Sequence, residues 1–249
     1  MLNLQRGISG FLNLGFFCHR GYHFAMNSNS PPRRPLPVAI AQKIVRWCFR
    51  FWMLITVNVR VHRIENFPEV SSSGGPLLVC ANHQSNLDPM LIGVVCPFPI
   101  NYLAKKSLFK FGPLGWFFTW NDCIAIDRDS GLAGMKATLK RLKKGESVLI
   151  FPEGTRSPDG DLQEIKQGFC TLARRTRAPI LTTGIAGSRD AWPPGKGPGF
   201  GNVHVEVGEV TTFETYQHWS DEELAAEVGK QIAALIGAAE GRRSKQLKN

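Results

Sequence analysis

Three short stretches of this chain carry side chains able to move a proton or to hold an anion. The first is Asn82-His83-Gln84-Ser85-Asn86-Leu87-Asp88, directly after an apolar run. Residues five apart on an ideal helix differ by about 140°, so His83 and Asp88 can meet only if the backbone between them turns. Asp88-Pro89 has the form of a helix start, with Asp at the cap and Pro at the first helical position. A carboxylate beside the imidazole would fix one tautomer and stabilise the protonated ring, letting His83 take a proton from an alcohol. A capping aspartate next to a satisfied turn histidine fits the same residues.

The second stretch, Phe151-Pro152-Glu153-Gly154-Thr155-Arg156-Ser157, follows the apolar run SVLIF. Gly154 permits close backbone approach, and Thr155 with Arg156 offers a hydroxyl and a forked cation, a combination suited to a phosphate ester. An ordinary surface turn would look alike. The third, Ile126-Asp127-Arg128, ends a predicted strand, where an arginine faces the usual ligand crevice of open α/β folds. Strand-end ion pairs are also common.

The elements that must position these groups follow from apolar patterning. Runs at 76–81, 100–104, 123–127, 147–151, 179–185 and 203–210 read as strands. Stretches 89–96, 113–119, 131–144 and 166–177 read as helices, and Ser220 with Glu223 forms a capping box before a last helix to about Ala239. This alternation predicts an α/β fold: a mixed, largely buried sheet flanked by helices. The six cysteines form no C-x-x-C pair and read as free thiols, so neither a disulfide framework nor a zinc site is indicated.

Of the formal charge of +10, nearly all belongs to the first 64 residues, which hold nine Lys/Arg and no acid. Residues 1–35 read as a leader and a proline-rich linker, and 36–60 as a basic amphipathic helix at a membrane interface. Lys43, Arg46 and Arg50 line one of its faces, opposite Ile40, Ile44, Trp47 and Phe51. A buried packing helix or a full span would use the same residues, although each cation at mid-bilayer costs about 2.5–3.5 kcal/mol. Interleaved apolar runs suit lipid better than a nucleic acid. Residues 61–240 would form the α/β domain and 241–249 a frayed basic tail.

The order and spacing of these blocks resemble the PlsC-type glycerolipid acyltransferase family, typified by 1-acylglycerol-3-phosphate O-acyltransferases. NHQSNLD is similar to that family's first block and FPEGTRS to its third. Ala104-Lys105 with Leu108, Phe109, Gly112 and Gly115 resembles the stretch between the first two blocks, and Ala178-Pro179-Ile180 the start of the fourth. Asp122, Ala125 and Thr182 depart from the usual Gly, Phe and Pro. The resemblance implies His83 as base with Asp88 orienting it. It implies Arg128, Glu153, Gly154, Thr155 and Arg156 around the acceptor phosphate, with Lys105 adding charge.

The resemblance further implies direct attack of a lysophospholipid hydroxyl on an acyl-CoA or acyl carrier protein thioester, with no bound cofactor and no metal. The partners are then an anionic membrane surface and the two substrates, with no nucleic acid, and the location a peripheral or monotopic one on the cytoplasmic face. Lysophosphatidic acid is the expected acceptor. A lyso-aminolipid acceptor, or a non-catalytic membrane-binding protein on the same fold, is the alternative.

Overall fold

The computed structural model describes residues 51, 56–67, 75–98, 100–105, 115, 123–126, 131–193 and 195–248. The leader and linker, the expected helix over 36–60 apart from its last few residues, the helix expected over 113–119 apart from Gly115, and Arg128 lie outside the described residues.

Seven strands form one sheet: β1 (Val57–His62), β2 (Leu78–Ala81), β3 (Ile100–Lys105), β4 (Ile124–Ile126), β5 (Ser147–Ile150), β6 (Ile180–Ala186) and β7 (Gly201–Thr211). Their order across the sheet is β1-β7-β6-β2-β5-β3-β4. All neighbours run parallel except β6 and β7, which are antiparallel, so the sheet is mixed as expected. The central strands β2 and β6 are buried along their whole length and read as continuous apolar or small-residue runs, the pattern of strands covered on both faces.

The helices are α1 (Asp88–Val95), α2 (Gly131–Leu142), α3 (Gly168–Thr176), α4 (Ser188–Ala191), α5 (Phe213–Tyr216) and α6 (Asp221–Lys248). Alternate residues of β2 feed two cores. Val79 and Ala81 pack with Leu91 and Ile92 of α1. Leu78 and Cys80 pack with Phe169 and Leu172 of α3 and with Val228 and Ile232 of α6. Helices thus cover both faces of one sheet. The capping box at the start of α6 forms in both directions: Ser220 N donates to Glu223 Oε2 (2.6 Å) and Glu223 N to Ser220 Oγ (3.1 Å). Cys80, Cys96, Cys123 and Cys170 are free thiols, and burial pushes Cys170 up to about 11.

Two expectations need correcting. Residues 57–60, assigned to the end of the basic helix, open strand β1, whose VNVRVH alternates with a period of two and pairs in register with β7 (Val57↔Gly201). The tail from Gly241 is not frayed but helical to Lys248. Arg243 Nε donates to Asn202 O (3.0 Å), Gln246 Nε2 to Asn202 Oδ1 (3.1 Å), and Arg242 pairs with buried Glu206, which fastens the last turns of α6 along β7. No described helix is long and apolar enough to cross a membrane.

Candidate active site

Strands β2, β5 and β6 are parallel neighbours, so the segments that leave them emerge at one end of the sheet. Residues 82–87 leave β2, Phe151–Ser157 leaves β5, and α4 follows β6. His83 Nδ1 lies 2.9 Å from Asp88 Oδ2. The turn between them is held by the same oxygen, which also accepts the backbone N–H groups of Gln84 and Ser85, both at 2.7 Å. Asp88 is fully buried, and its Oδ1 has no hydrogen-bond partner among the described residues. An ionised carboxylate accepting two N–H groups fixes Nδ1 of His83 as the protonated nitrogen. Nε2 is then the basic one, and no described group bonds to it. Pairing of β2 with β5 brings Phe151 beneath the imidazole, stacked at 4.0 Å with 16° between the rings.

Further bonds fasten the first block to the other two. Asn82 donates from Nδ2 to Ile185 O (2.9 Å) and accepts Ile185 N–H at Oδ1 (2.7 Å), tying the end of β2 to β6. Ser85 Oγ donates to Trp192 O (2.7 Å) just beyond α4. Ser157 N donates to His83 O (2.7 Å), Gln84 Nε2 to Gly160 O (3.0 Å), and an Arg156 Nη to Asn86 Oδ1 (2.9 Å). Arg189 of α4 grips the carbonyls of Ser157 and Pro158.

His83, Asp88, Glu153, Gly154, Thr155 and Arg156 therefore share one neighbourhood. Gly154 and Thr155 are exposed and Arg156 is half-buried at its mouth. Gly154 takes φ +72°, the left-handed region that favours glycine. Glu153 points inward: its Oε1 accepts His83 N–H (2.6 Å) and its Oε2 accepts Gln163 N–H (2.9 Å). Burial raises its pKa, opposed by those same N–H donors. With both oxygens taken by backbone donors, Glu153 is built to position the loops. Lys105 ends β3, which runs parallel to β5, so its backbone lies at the same end of the sheet. Sequence reasoning passed over Asn82, Ser85 and Arg189, whose side chains bond to backbone atoms remote in sequence, and Gln163, whose backbone N–H meets Glu153. Among the described residues no cluster of three His, Cys, Asp or Glu side chains could hold a metal ion.

A histidine–aspartate pair at the carboxyl ends of parallel strands, beside a glycine-bearing loop whose arginine is in no ion pair among the described residues, has the chemistry to move a proton next to an anion. A family model described as Acyltransferase matches residues 58–186, from β1 to the last residue of β6. The 1-acyl-sn-glycerol-3-phosphate acyltransferase of Bacillus subtilis is 30% identical over 197 residues, covering 77% of this chain and 89% of that protein. A chloroplastic enzyme of the same name from Arabidopsis thaliana is 30% identical over 176 residues, covering 67% of this chain and 48% of its own length. The crystal structure of the acyltransferase PlsC from Thermotoga maritima superposes with a TM-score of 0.69 over 94% of this chain and 88% of that one, at 24% identity. The chain belongs to the PlsC-type glycerolipid acyltransferase family and is an acyltransferase.

Proposed function

We propose that this enzyme transfers an acyl group from a thioester of coenzyme A or acyl carrier protein to the free hydroxyl of lysophosphatidic acid, giving phosphatidic acid. The observation that carries this reading is the His83–Asp88 pair at 2.9 Å, with Nε2 of His83 left as the basic nitrogen. Nε2 takes the hydroxyl proton as the oxygen attacks the thioester carbonyl. The tetrahedral intermediate expels the thiolate, which recovers the proton from the imidazolium. Asp88 stabilises the charged ring throughout. Gly154, Thr155 and Arg156 hold the acceptor phosphate, with Arg128 and Lys105 as further cations, and the reaction runs at the cytoplasmic surface of a membrane.

Support for a phosphate-bearing acceptor comes from Arg156, which is half-buried and held by Asn86 close to His83. The names of the relatives point the same way. The test is product analysis of purified enzyme given lysophosphatidic acid with acyl-CoA or acyl carrier protein thioester, in competition with a lyso-aminolipid. Phosphatidic acid should form, and His83→Ala should lose at least about 10³-fold in turnover. Preferred use of the lyso-aminolipid, or wild-type turnover by the variant, would sink the reading.

A further inference from the structure

Helix α4 is a single turn, yet it bonds to four separate parts of the molecule. Arg189 spends both arms of its guanidinium on successive carbonyls of the loop after β5, those of Ser157 (3.2 Å) and Pro158. Its stem runs beside Gly160 of the same loop, where an added Cβ would lie 3.2 Å from Arg189 Cδ. Trp192, the residue after the helix, accepts the Ser85 hydroxyl on its carbonyl, and Ala191 O accepts Gly199 N–H (2.7 Å) ahead of β7. Asp190 pairs with Arg243 of α6. That arginine is itself fixed, since its Nε donates to Asn202 O and its Nη1 reaches the Glu240 carboxylate. Beneath these contacts Ser188 and Ala191 are fully buried, so the turn is seated in the protein.

The loop that Arg189 holds has little structure of its own. Residues 151–167 contain no helix or strand, so bonds from outside must set their course. Two carbonyls accept from one planar fork in only a narrow range of orientations, so Arg189 fixes the direction of the loop as well as its position. Ser157 is where this bears on the site. Its N–H donates to His83 O at 2.7 Å, and Arg156 immediately precedes it. Holding the Ser157 carbonyl therefore sets the direction in which Arg156 leaves the backbone.

We propose that Arg189 is a positioning residue of the reaction: from α4 it keeps the Arg156 loop aligned with His83, and the Asp190–Arg243 pair keeps α4 in place. The role rests on the reading of Arg156 as a ligand of the acceptor phosphate. Because α4 grips two loops at different points, the two grips have different kinetic signatures. The Arg189 bonds act on the loop that meets the acceptor and so govern its binding. The Ser85 bond acts on the turn that carries His83 and so governs turnover.

Arg189→Met keeps the apolar stem beside Gly160 and removes both bonds. In the full chain it should raise the KM for lysophosphatidic acid about tenfold and leave kcat within about twofold. Arg189→Lys, which can still donate to a carbonyl, should recover most of that loss. Asp190→Asn, at an exposed carboxylate, should raise KM about threefold. Ser85→Ala should instead lower kcat at nearly constant KM. The effects of Arg156→Met and Arg189→Met should not add, because both act through the Arg156 guanidinium. Hydrogen exchange of the intact protein gives a reading free of substrate. The amides of Ser157 and Gly160, bonded to His83 O and Ser157 Oγ, should exchange about tenfold faster in Arg189→Met, with β6 unchanged. Unchanged exchange at these two amides would overturn the proposal, as would KM effects that add in the double variant. So would a fall in kcat alone with a lower unfolding midpoint that Arg189→Lys does not restore, because a purely structural contact behaves that way. If exchange rises but neither Arg156→Met nor Arg189→Met alters KM, the hold of α4 on the loop is upheld and the phosphate reading of Arg156 fails.

Discussion

An aspartate at the first position of a helix ordinarily caps it by accepting the N–H groups that follow. Asp88 turns backwards instead, taking the N–H groups of Gln84 and Ser85 and the imidazole of His83 on one oxygen, and leaving Oδ1 without a partner among the described residues. That division makes Asp88→Asn an informative change. The amide oxygen can keep all three donors while its NH2 occupies the vacant position, so the histidine holds its tautomer and only the charge is lost. Turnover should fall by about 10²-fold with little change in KM or in unfolding midpoint. A stopped-assay titration of acceptor checks the split. Glu153 has no vacant side: each oxygen accepts a backbone N–H, so Glu153→Gln must set its NH2 against one of them. Donor facing donor costs about 1–3 kcal/mol, offset in part by relief of the buried charge. The expected result is lower stability by urea unfolding together with a loss of about tenfold in turnover, since the His83 loop shifts.

Helix and sheet meet most closely where α6 crosses β6. A Cβ built on Gly184 would lie 2.5 Å from the Leu235 carbonyl carbon and 2.6 Å from Ile236 N, both backbone atoms that cannot step aside. Gly184→Ala should therefore destabilise by about 3 kcal/mol or more. Gly237, on the exposed side of the same helix with nothing within 4 Å, should gain about 0.5–1 kcal/mol on the same change. Urea midpoints of the two variants decide this, and a loss at both would mean that α6 is strained as a whole. None of this contact is legible in the sequence, where Gly184 is one more small residue in an apolar run. The strands β2 to β7 were legible because each is a compact apolar run bounded by turn residues. Strand β1 was not: VNVRVH directly follows a basic apolar stretch, and a helical reading carried through it. The His83–Asp88 pair was legible as types and spacing. What holds it was hidden, because Asn82, Ser85 and Glu153 bond to backbone atoms of Ile185, Trp192, His83 and Gln163, and backbone atoms have no sequence signature.

At the scale of the whole molecule, β1 and the last turns of α6 are both fastened to β7 by a short chain of rings and amides. Gln246 Nε2 donates to Asn202 Oδ1, so its Oε1 accepts from His204 Nε2 at 2.7 Å. His204 Nδ1 is then unprotonated and accepts from His62 Nε2 at 3.1 Å, with the two rings stacked. Burial lowers both pKa values, and Arg60, Arg242 and Arg243 push in the same direction against buried Glu206 and, for His204, the Gln246 bond. Each imidazole is thus neutral in the fold yet titrates near its ordinary 6.5 once unfolded. As pH falls through 6.5 the unfolded chain binds protons first, so this contribution is fully present above that value and is lost progressively below it. A proton on His204 Nδ1 would also point at the N–H of His62 and part β1 from β7. Urea midpoints of the full chain should fall between pH 7.5 and 5.5, and His204→Gln should flatten that fall. A variant with the wild-type slope would move the pH dependence elsewhere. Because β1 starts opposite Gly201, acid loosening of this pair should also free the end of the sheet that carries the His83 loop. Hydrogen exchange at residues 57–62 should accordingly rise before that of β2 or β6, whose cores contain no titrating histidine.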